Sequence, residues 1–70
     1  MNAKTFGQII KIQRKKLGLT QAYLAALANT GTRFISDLEN GKPTVQLDKA
    51  LHVANILSIK VETIVWTLKR

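Results

Sequence analysis

The 70-residue chain has no cysteine, which excludes disulfide bridges and thiolate metal sites and fits a reducing compartment. It has only four acidic residues, and two of them, Asp37 and Glu39, are two positions apart, so on a helix they would point in different directions. Long apolar runs are absent as well, because Lys11 interrupts the amphipathic N-terminal stretch, and neither a signal sequence nor a membrane span is present. We therefore expect a cytoplasmic protein.

Patterns that support catalysis or metal binding are also missing. The sequence shows no nucleophile beside a general base, no glycine-rich phosphate loop and no carboxylate pair that would face one pocket. His52 is the single histidine, and it has no cysteine or second histidine with which to share a metal ion. We expect no enzymatic activity, no cofactor and no metal.

Positive charge is abundant: 11 lysines and arginines against four acidic residues give a formal net charge of +7. Such an excess on a small surface attracts polyanions and speeds their capture. A basic membrane-surface helix is less favoured, because no segment combines a dense cationic face with an aromatic face. With 46% hydrophobic residues, the chain can form one small domain, residues 1–70, which a partner subunit would help to stabilise.

Apolar residues at helical spacing, together with capping signals, predict four helices. Their predicted bounds are near Phe6 to Gly18, Thr20 to Asn29, Thr32 to about Asn40, and about Val45 to Leu57. A capping box of Thr5 and Gln8 starts the first helix, a residue near Thr44 caps the fourth, and Gly7 is a poor helix former that the first turn tolerates. The residues predicted to be buried are Phe6, Ile9, Ile10, Gln13, Leu17, Leu24, Ala25, Leu27, Ile35, Leu38, Leu47, Ala50, Leu51, Ala54 and Leu57.

The C-terminal stretch SIKVETIVWTLKR is rich in β-branched and aromatic residues. We predict a strand from about Ile59 to Leu68, with a short fifth helix as the alternative. A lone strand has no hydrogen-bonding partner in an otherwise helical chain of this size, so pairing with the same strand of a second copy predicts a homodimer. Within this dimerisation segment, about 58–70, the expected interface residues are Ile59, Val61, Ile64 and Trp66.

Residues 20–41, TQAYLAALANTGTRFISDLENG, have the pattern of a helix, a tight corner and a second helix. Two helices meet at a steep angle only where a small residue lies at their crossing, and Ala25 occupies that position among larger buried residues. Asn29 suits the corner because asparagine tolerates the left-handed conformation. With the basic charge, this pattern favours a DNA-binding helix-turn-helix over a plain helical hairpin in a bundle.

Through LGLTQAYLAALA and the closing ISDLENGK, residues 5–57 resemble the phage-repressor-like, Xre-type helix-turn-helix family. The resemblance implies a mainly α, lambda-repressor-like helix-turn-helix domain of four to five helices with a C-terminal dimerisation β-strand. It also implies an ion pair between Arg14 and Glu39 that ties the first helix to the end of the third. Two residues depart from the family's pattern, since Asn29 stands where glycine is usual and Thr30 where an apolar residue is usual.

Within that family the chain more closely resembles HipB-type antitoxins, through RFISDLENGKPTVQLDKALHVANIL and the strand-like tail. This resemblance implies a dimer that represses its own operon and binds a HipA-like kinase toxin. A free-standing phage or host regulator without a toxin is the alternative in the same class. A protein-interaction module that has lost DNA binding is the alternative from another class.

The geometry of a helix-turn-helix points to candidate DNA contacts. The N-terminal part of the recognition helix enters the major groove, so the expected base-reading residues are Thr32, Arg33 and Ser36. Arg33 is the strongest candidate, because a guanidinium can donate two hydrogen bonds to guanine O6 and N7. Gln21 resembles the family's phosphate-contacting glutamine, and Asn40 and Lys42 should contact phosphates beyond the recognition helix. The expected partner is a pseudo-palindromic double-stranded operator, bound by a nucleoid-associated homodimer.

The strand-pairing hypothesis predicts that Trp66→Ala lowers the stability of the dimer, because a large apolar side chain is lost from the interface. Analytical ultracentrifugation at micromolar concentration would show a shift toward monomer. Unchanged sedimentation would count against strand pairing.

Overall fold

The computed structural model describes residues 2–59, and these residues form four α-helices. They are α1 (Ala3–Lys16), α2 (Gln21–Leu27), α3 (Thr32–Glu39) and α4 (Leu47–Ile56). α3 packs against both α1 and α2, and the buried face of α4 completes the core. Apart from Ile59, the predicted strand lies outside the described residues.

A single apolar core draws side chains from all four helices. Its largest fully buried members are Ile10, Leu24, Ile35, Leu38, Val53 and Leu57. Each such side chain contributes about 1.5–3 kcal/mol by leaving water. The sequence prediction of one buried stripe per helix is confirmed for these residues, with the exception of Val53, which it missed.

Three leucines that were predicted to be buried are exposed instead. Leu17, Leu27 and Leu47 expose 51%, 47% and 70% of their surface. Leu17 is the C-cap of α1, Leu27 is the last residue of α2 and Leu47 is the first residue of α4. At a helix end the neighbouring helices no longer cover the continuation of the stripe, so the helical repeat overestimates burial there. Ala28 and Val53 are buried in addition, whereas Phe6, Ile9, Gln13 and Leu51 are only half-buried.

A residue in the left-handed conformation directly follows the C-cap of each of the four helices. These residues are Gly18, Asn29, Gly41 and Ser58, with φ of 72°, 53°, 78° and 61°. At the α2 end, the Asn29 N–H donates to the Ala26 carbonyl at 3.2 Å and the Thr30 N–H donates to the Ala25 carbonyl at 2.9 Å. This Schellman arrangement satisfies carbonyls that the helix leaves without partners. The predicted ends at Gly18, Asn29 and Gly41 are confirmed, and Ser58 ends α4 in the same way.

α1 begins earlier than the sequence predicted, at Ala3 instead of near Phe6. Its N-cap is Asn2, whose Oδ1 accepts a hydrogen bond from the backbone N–H of Thr5 at 2.9 Å. Asparagine caps a helix at least as well as threonine does. The prediction that a capping box at Thr5 starts the helix is therefore wrong.

α4 begins later than predicted, at Leu47 instead of Val45, and its N-cap is Gln46 instead of Thr44. The N–H of Val45 donates to the Lys42 carbonyl at 3.5 Å, so this residue belongs to the turn that precedes the helix. The other two starts are confirmed. Thr20 caps α2 by accepting from the Tyr23 N–H at 3.0 Å, and α3 starts directly after its N-cap residue, a glycine.

Gly7 allows α1 to lie directly against the end of α3. A Cβ atom at this position would lie 2.2 Å from the carbonyl oxygen of Leu38 and 2.8 Å from that of Glu39. Both are backbone atoms, so a side-chain rotation cannot relieve the clash. Gly7 is therefore required for the packing of α1 on α3, and the prediction that the first turn merely tolerates it is wrong.

We predict that Gly7→Ala lowers the free energy of unfolding. The better helix propensity of alanine would add about 1 kcal/mol, but forcing a methyl group into the α1–α3 contact costs typically 1–3 kcal/mol and sometimes more. A net loss of about 2 kcal/mol is expected in urea denaturation followed by circular dichroism.

Gly31→Ala is the matched control, because nothing lies within 4 Å of a Cβ built there and its φ of −84° suits any residue. It should cost about 0.5–1 kcal/mol, because alanine caps a helix less well than glycine does, and this is a smaller loss than the one expected for Gly7→Ala. A Gly7→Ala variant more stable than wild type would show that α1 does not approach α3 so closely.

Candidate nucleic-acid interface

α3 presents one side to the core and the other to solvent. Ile35 and Leu38 are buried, which fixes the rotation of the helix about its axis. Thr32 and Arg33 in its first turn are exposed, and Ser36, one turn later, is half-buried. At 3.6 residues per turn, these three positions share one side of the helix. The structure thus brings together the three residues predicted to read bases.

The far end of α3 holds two of the predicted phosphate contacts, and each already has a partner in the protein. Asn40 Nδ2 donates to Ser36 Oγ at 3.4 Å, and Lys42 Nζ lies 3.5 Å from Asp37 Oδ2. An exposed ion pair of this kind adds little stability, so Lys42 can exchange it for a phosphate at small cost. Sequence reasoning assigned no role to Asp37, because Lys42 lies five positions further on, outside the spacings of three and four at which side chains on a helix pair.

Gln21, the first residue of α2, is half-buried. Its Nε2 donates to Glu39 Oε1 at 3.1 Å, and this bond joins the start of α2 to the end of α3. The two residues are 18 positions apart, so no local sequence pattern could reveal their contact.

Glu39 also forms the ion pair that the family resemblance implied. Its carboxylate accepts from Arg14 Nε at 2.6 Å and from Arg14 Nη2 at 3.1 Å. The two side chains are only 9% and 2% exposed. Arg14 Nη1 donates to the Leu19 carbonyl at 2.7 Å, so every nitrogen of the guanidinium has a partner, and no buried side-chain nitrogen or oxygen within residues 2–59 lacks one.

Arg14, Glu39 and Gln21 form one network, which we call the Glu39 network. Arg14 belongs to α1, Glu39 to α3 and Gln21 to α2. The pairing offsets the cost of burying two charges, since each charge has a close and well-oriented partner. The network therefore holds α2 and α3, the two helices of the helix-turn-helix, against α1.

Ile59 is the only predicted dimerisation residue within the described part of the chain. Its side chain is half-buried and packs against the core of its own chain, and its N–H donates to the Ala54 carbonyl at 2.9 Å. Val61, Ile64 and Trp66 lie outside the described residues. The assignment of a dimer interface to this segment stays a prediction.

α3 packs against α2 and is exposed on one side, the small residue Ala25 of α2 is buried, and a left-handed corner lies between the two helices. This arrangement is that of a helix-turn-helix DNA-binding domain. Comparison with protein families agrees with this class. The family model described as "Helix-turn-helix" matches residues 10–64. The chain belongs to this Xre-type helix-turn-helix family.

Two relatives share this domain. The chain is 45% identical over 56 residues to an uncharacterised helix-turn-helix-type transcriptional regulator of Sinorhizobium fredii, covering 80% of this chain and 74% of the relative. It is 39% identical over 61 residues to the immunity repressor protein of Bacillus phage phi105, covering 87% of this chain but only 42% of that repressor. By its family the protein is a DNA-binding transcription regulator and not an enzyme. None of the helices within residues 2–59 combines the length and the apolar character needed to cross a membrane.

The burial of the Glu39 network predicts that a single substitution destabilises the protein more than a paired substitution does. Glu39→Ala leaves the Arg14 guanidinium buried without its anion and should cost about 3–5 kcal/mol of stability, enough to unfold a domain of this size. Arg14→Met combined with Glu39→Leu removes both charges and keeps the side-chain volume, so its stability should lie within about 2 kcal/mol of wild type.

Thermal and urea denaturation of the two variants would test this expectation. Equal destabilisation by the single and the double substitution would show that the pair contributes packing alone.

Proposed function

We propose that the protein is a sequence-specific transcriptional repressor that binds a pseudo-palindromic DNA operator as a homodimer, with one α3 in each major groove. The observation that carries this proposal is the exposed Arg33 in the first turn of a helix whose opposite side is buried. The similarity of the chain to a transcriptional regulator and to an immunity repressor supports it. Such a protein acts at the nucleoid, in the cytoplasm.

The proposed contacts divide into two kinds. Thr32, Arg33 and Ser36 read base edges, with Arg33 donating two hydrogen bonds to one guanine. Gln21, Asn40 and Lys42 contact phosphates on either side of the groove and set the position of α3. The formal net charge of +7 favours the approach to DNA at every sequence. Arg33 therefore carries specificity, and the phosphate contacts carry most of the affinity.

The dimensions of the domain suit a dimer on one side of the DNA. Recognition helices that enter successive major grooves lie roughly 34–36 Å apart. The longest extent of this domain is 33 Å and the next is 24 Å. Two domains of this size side by side are compatible with this spacing, and we propose that residues 58–70, with Ile59, Val61, Ile64 and Trp66, hold the two copies together.

We further propose that the protein is the HipB-like antitoxin of a toxin–antitoxin operon, repressing its own promoter and binding a HipA-like kinase toxin. Support for this role comes from the resemblance of residues 33–57 to such antitoxins. The similarity to a phage immunity repressor favours a second candidate, a free-standing regulator without a toxin. Co-expression with the products of neighbouring genes distinguishes the two, since only the antitoxin would co-purify with a kinase-like protein.

DNA binding can be tested by gel shift on the promoter of the protein's own gene and on unrelated DNA of equal length. Arg33→Ala should weaken promoter binding by a factor between about 5 and about 150, because a bidentate arginine–guanine contact contributes about 1–3 kcal/mol of discrimination. Lys11→Ala removes the same charge from an exposed position on α1, and it should weaken binding to both DNAs by one small factor.

Two outcomes would contradict the proposal. An equal loss on both DNAs for Arg33→Ala would show that this residue touches only phosphate. A folded wild-type protein that retains neither DNA at low salt would favour the protein-interaction module.

A further inference from the structure

One carboxylate oxygen of Glu39 accepts hydrogen bonds from residues on two different helices. Oε1 accepts from Arg14 Nη2 and from Gln21 Nε2, each at 3.1 Å. The Glu39 side chain is 2% exposed, whereas Gln21 is half-buried at the start of α2. The bond to Gln21 thus links a buried anion to a side chain that reaches the surface proposed to face DNA.

The anion determines which end of the Gln21 amide points toward it. An amide has a donor end and an acceptor end of almost equal size, so it can rotate by half a turn with little steric cost. Next to a carboxylate oxygen only the NH2 end forms a hydrogen bond, since two acceptors in contact repel each other. Glu39 therefore selects one orientation of the amide.

We propose that Glu39 is a positioning residue for DNA binding, acting through Gln21. One Nε2 hydrogen of Gln21 is held by Glu39, and the second stays available to donate to a DNA phosphate. Arg14 contributes by neutralising Glu39, so the buried anion does not repel that phosphate. This inference rests on the proposed DNA-binding function and on the phosphate contact assigned to Gln21.

A pair of matched double variants separates positioning from folding. Arg14→Met with Glu39→Gln removes the ion pair but keeps an oxygen that can accept from Gln21. Arg14→Met with Glu39→Leu removes the ion pair and the acceptor together. Circular dichroism and thermal melting would establish that both variants are folded before DNA is added.

The variant with Glu39→Leu should bind DNA about fivefold more weakly than the variant with Glu39→Gln, the factor expected for one hydrogen bond. The loss should be the same on promoter and unrelated DNA, because a phosphate contact carries no sequence information. The salt dependence of binding should stay the same, since no cationic contact is lost. In a Gln21→Ala background the two double variants should bind equally.

The inference is overturned if the two double variants bind alike with Gln21 present, or if their difference persists in the Gln21→Ala background. A loss of affinity in Gln21→Ala alone, with the double variants alike, would keep the phosphate contact and remove the role of Glu39. Wild-type protein that binds no DNA would remove the proposed function and this inference together.

A measurement on the wild-type protein keeps the inference testable if a double variant does not fold. In 15N-labelled protein the two side-chain amide hydrogens of Gln21 should respond differently when DNA is added, because one stays bound to Glu39 and only the other gains a phosphate acceptor. Two resonances that move alike, or that do not move on saturation with DNA, would overturn the inference.

Discussion

The carboxylate of Glu39 joins three of the four helices. It accepts from Arg14 on α1 and from Gln21 on α2, while Glu39 itself ends α3. In a low-dielectric interior an unpaired charge would cost several kcal/mol, so each of these groups depends on the others. Arg14 also donates to the Leu19 carbonyl, which fixes the turn between α1 and α2. The position of α2 relative to α3, and with it the surface proposed to face DNA, depends on this buried arrangement.

Close contact between the backbone of α1 and that of the C-terminal end of α3 makes the Glu39 network possible. At Gly7 a Cβ would fall 2.2 Å from a carbonyl oxygen of α3, and at Gly41 it would fall 2.6 Å from the Cα atom of Lys4. Both glycines let α1 lie against the C-terminal end of α3, where Glu39 meets Arg14. With Ile35 and Leu38 buried on the same helix, α3 cannot rotate about its axis. The exposed side chains of its first turn are thus held by contacts on the opposite side.

One side of α3 packs in the core and the other side is exposed. For this reason, membership of the family shows the fold of the chain but not the operator that it binds. The buried side determines the fold that the chain shares with other helix-turn-helix regulators. The exposed side chains determine which operator is read, and they can change without altering the packing. The proposed antitoxin role accordingly rests on the sequence resemblance of residues 33–57 and not on the fold.

The sequence by itself determined the corners and the centre of the core. Gly18, Asn29 and Gly41 could be recognised as helix ends because few residues adopt a left-handed backbone, and Leu24, Ala25, Ile35 and Leu38 follow from helical spacing. The exposed side of α3 follows from the same spacing, whereas the Arg14–Glu39 pair needed the resemblance to a family.

Tertiary structure alone decided the exposure of Leu17, Leu27 and Leu47 and the need for Gly7. It also decided the bond between Gln21 and Glu39. Helical periodicity describes one helix in isolation, but burial at a helix end and hydrogen bonds between distant positions depend on where the neighbouring helices lie.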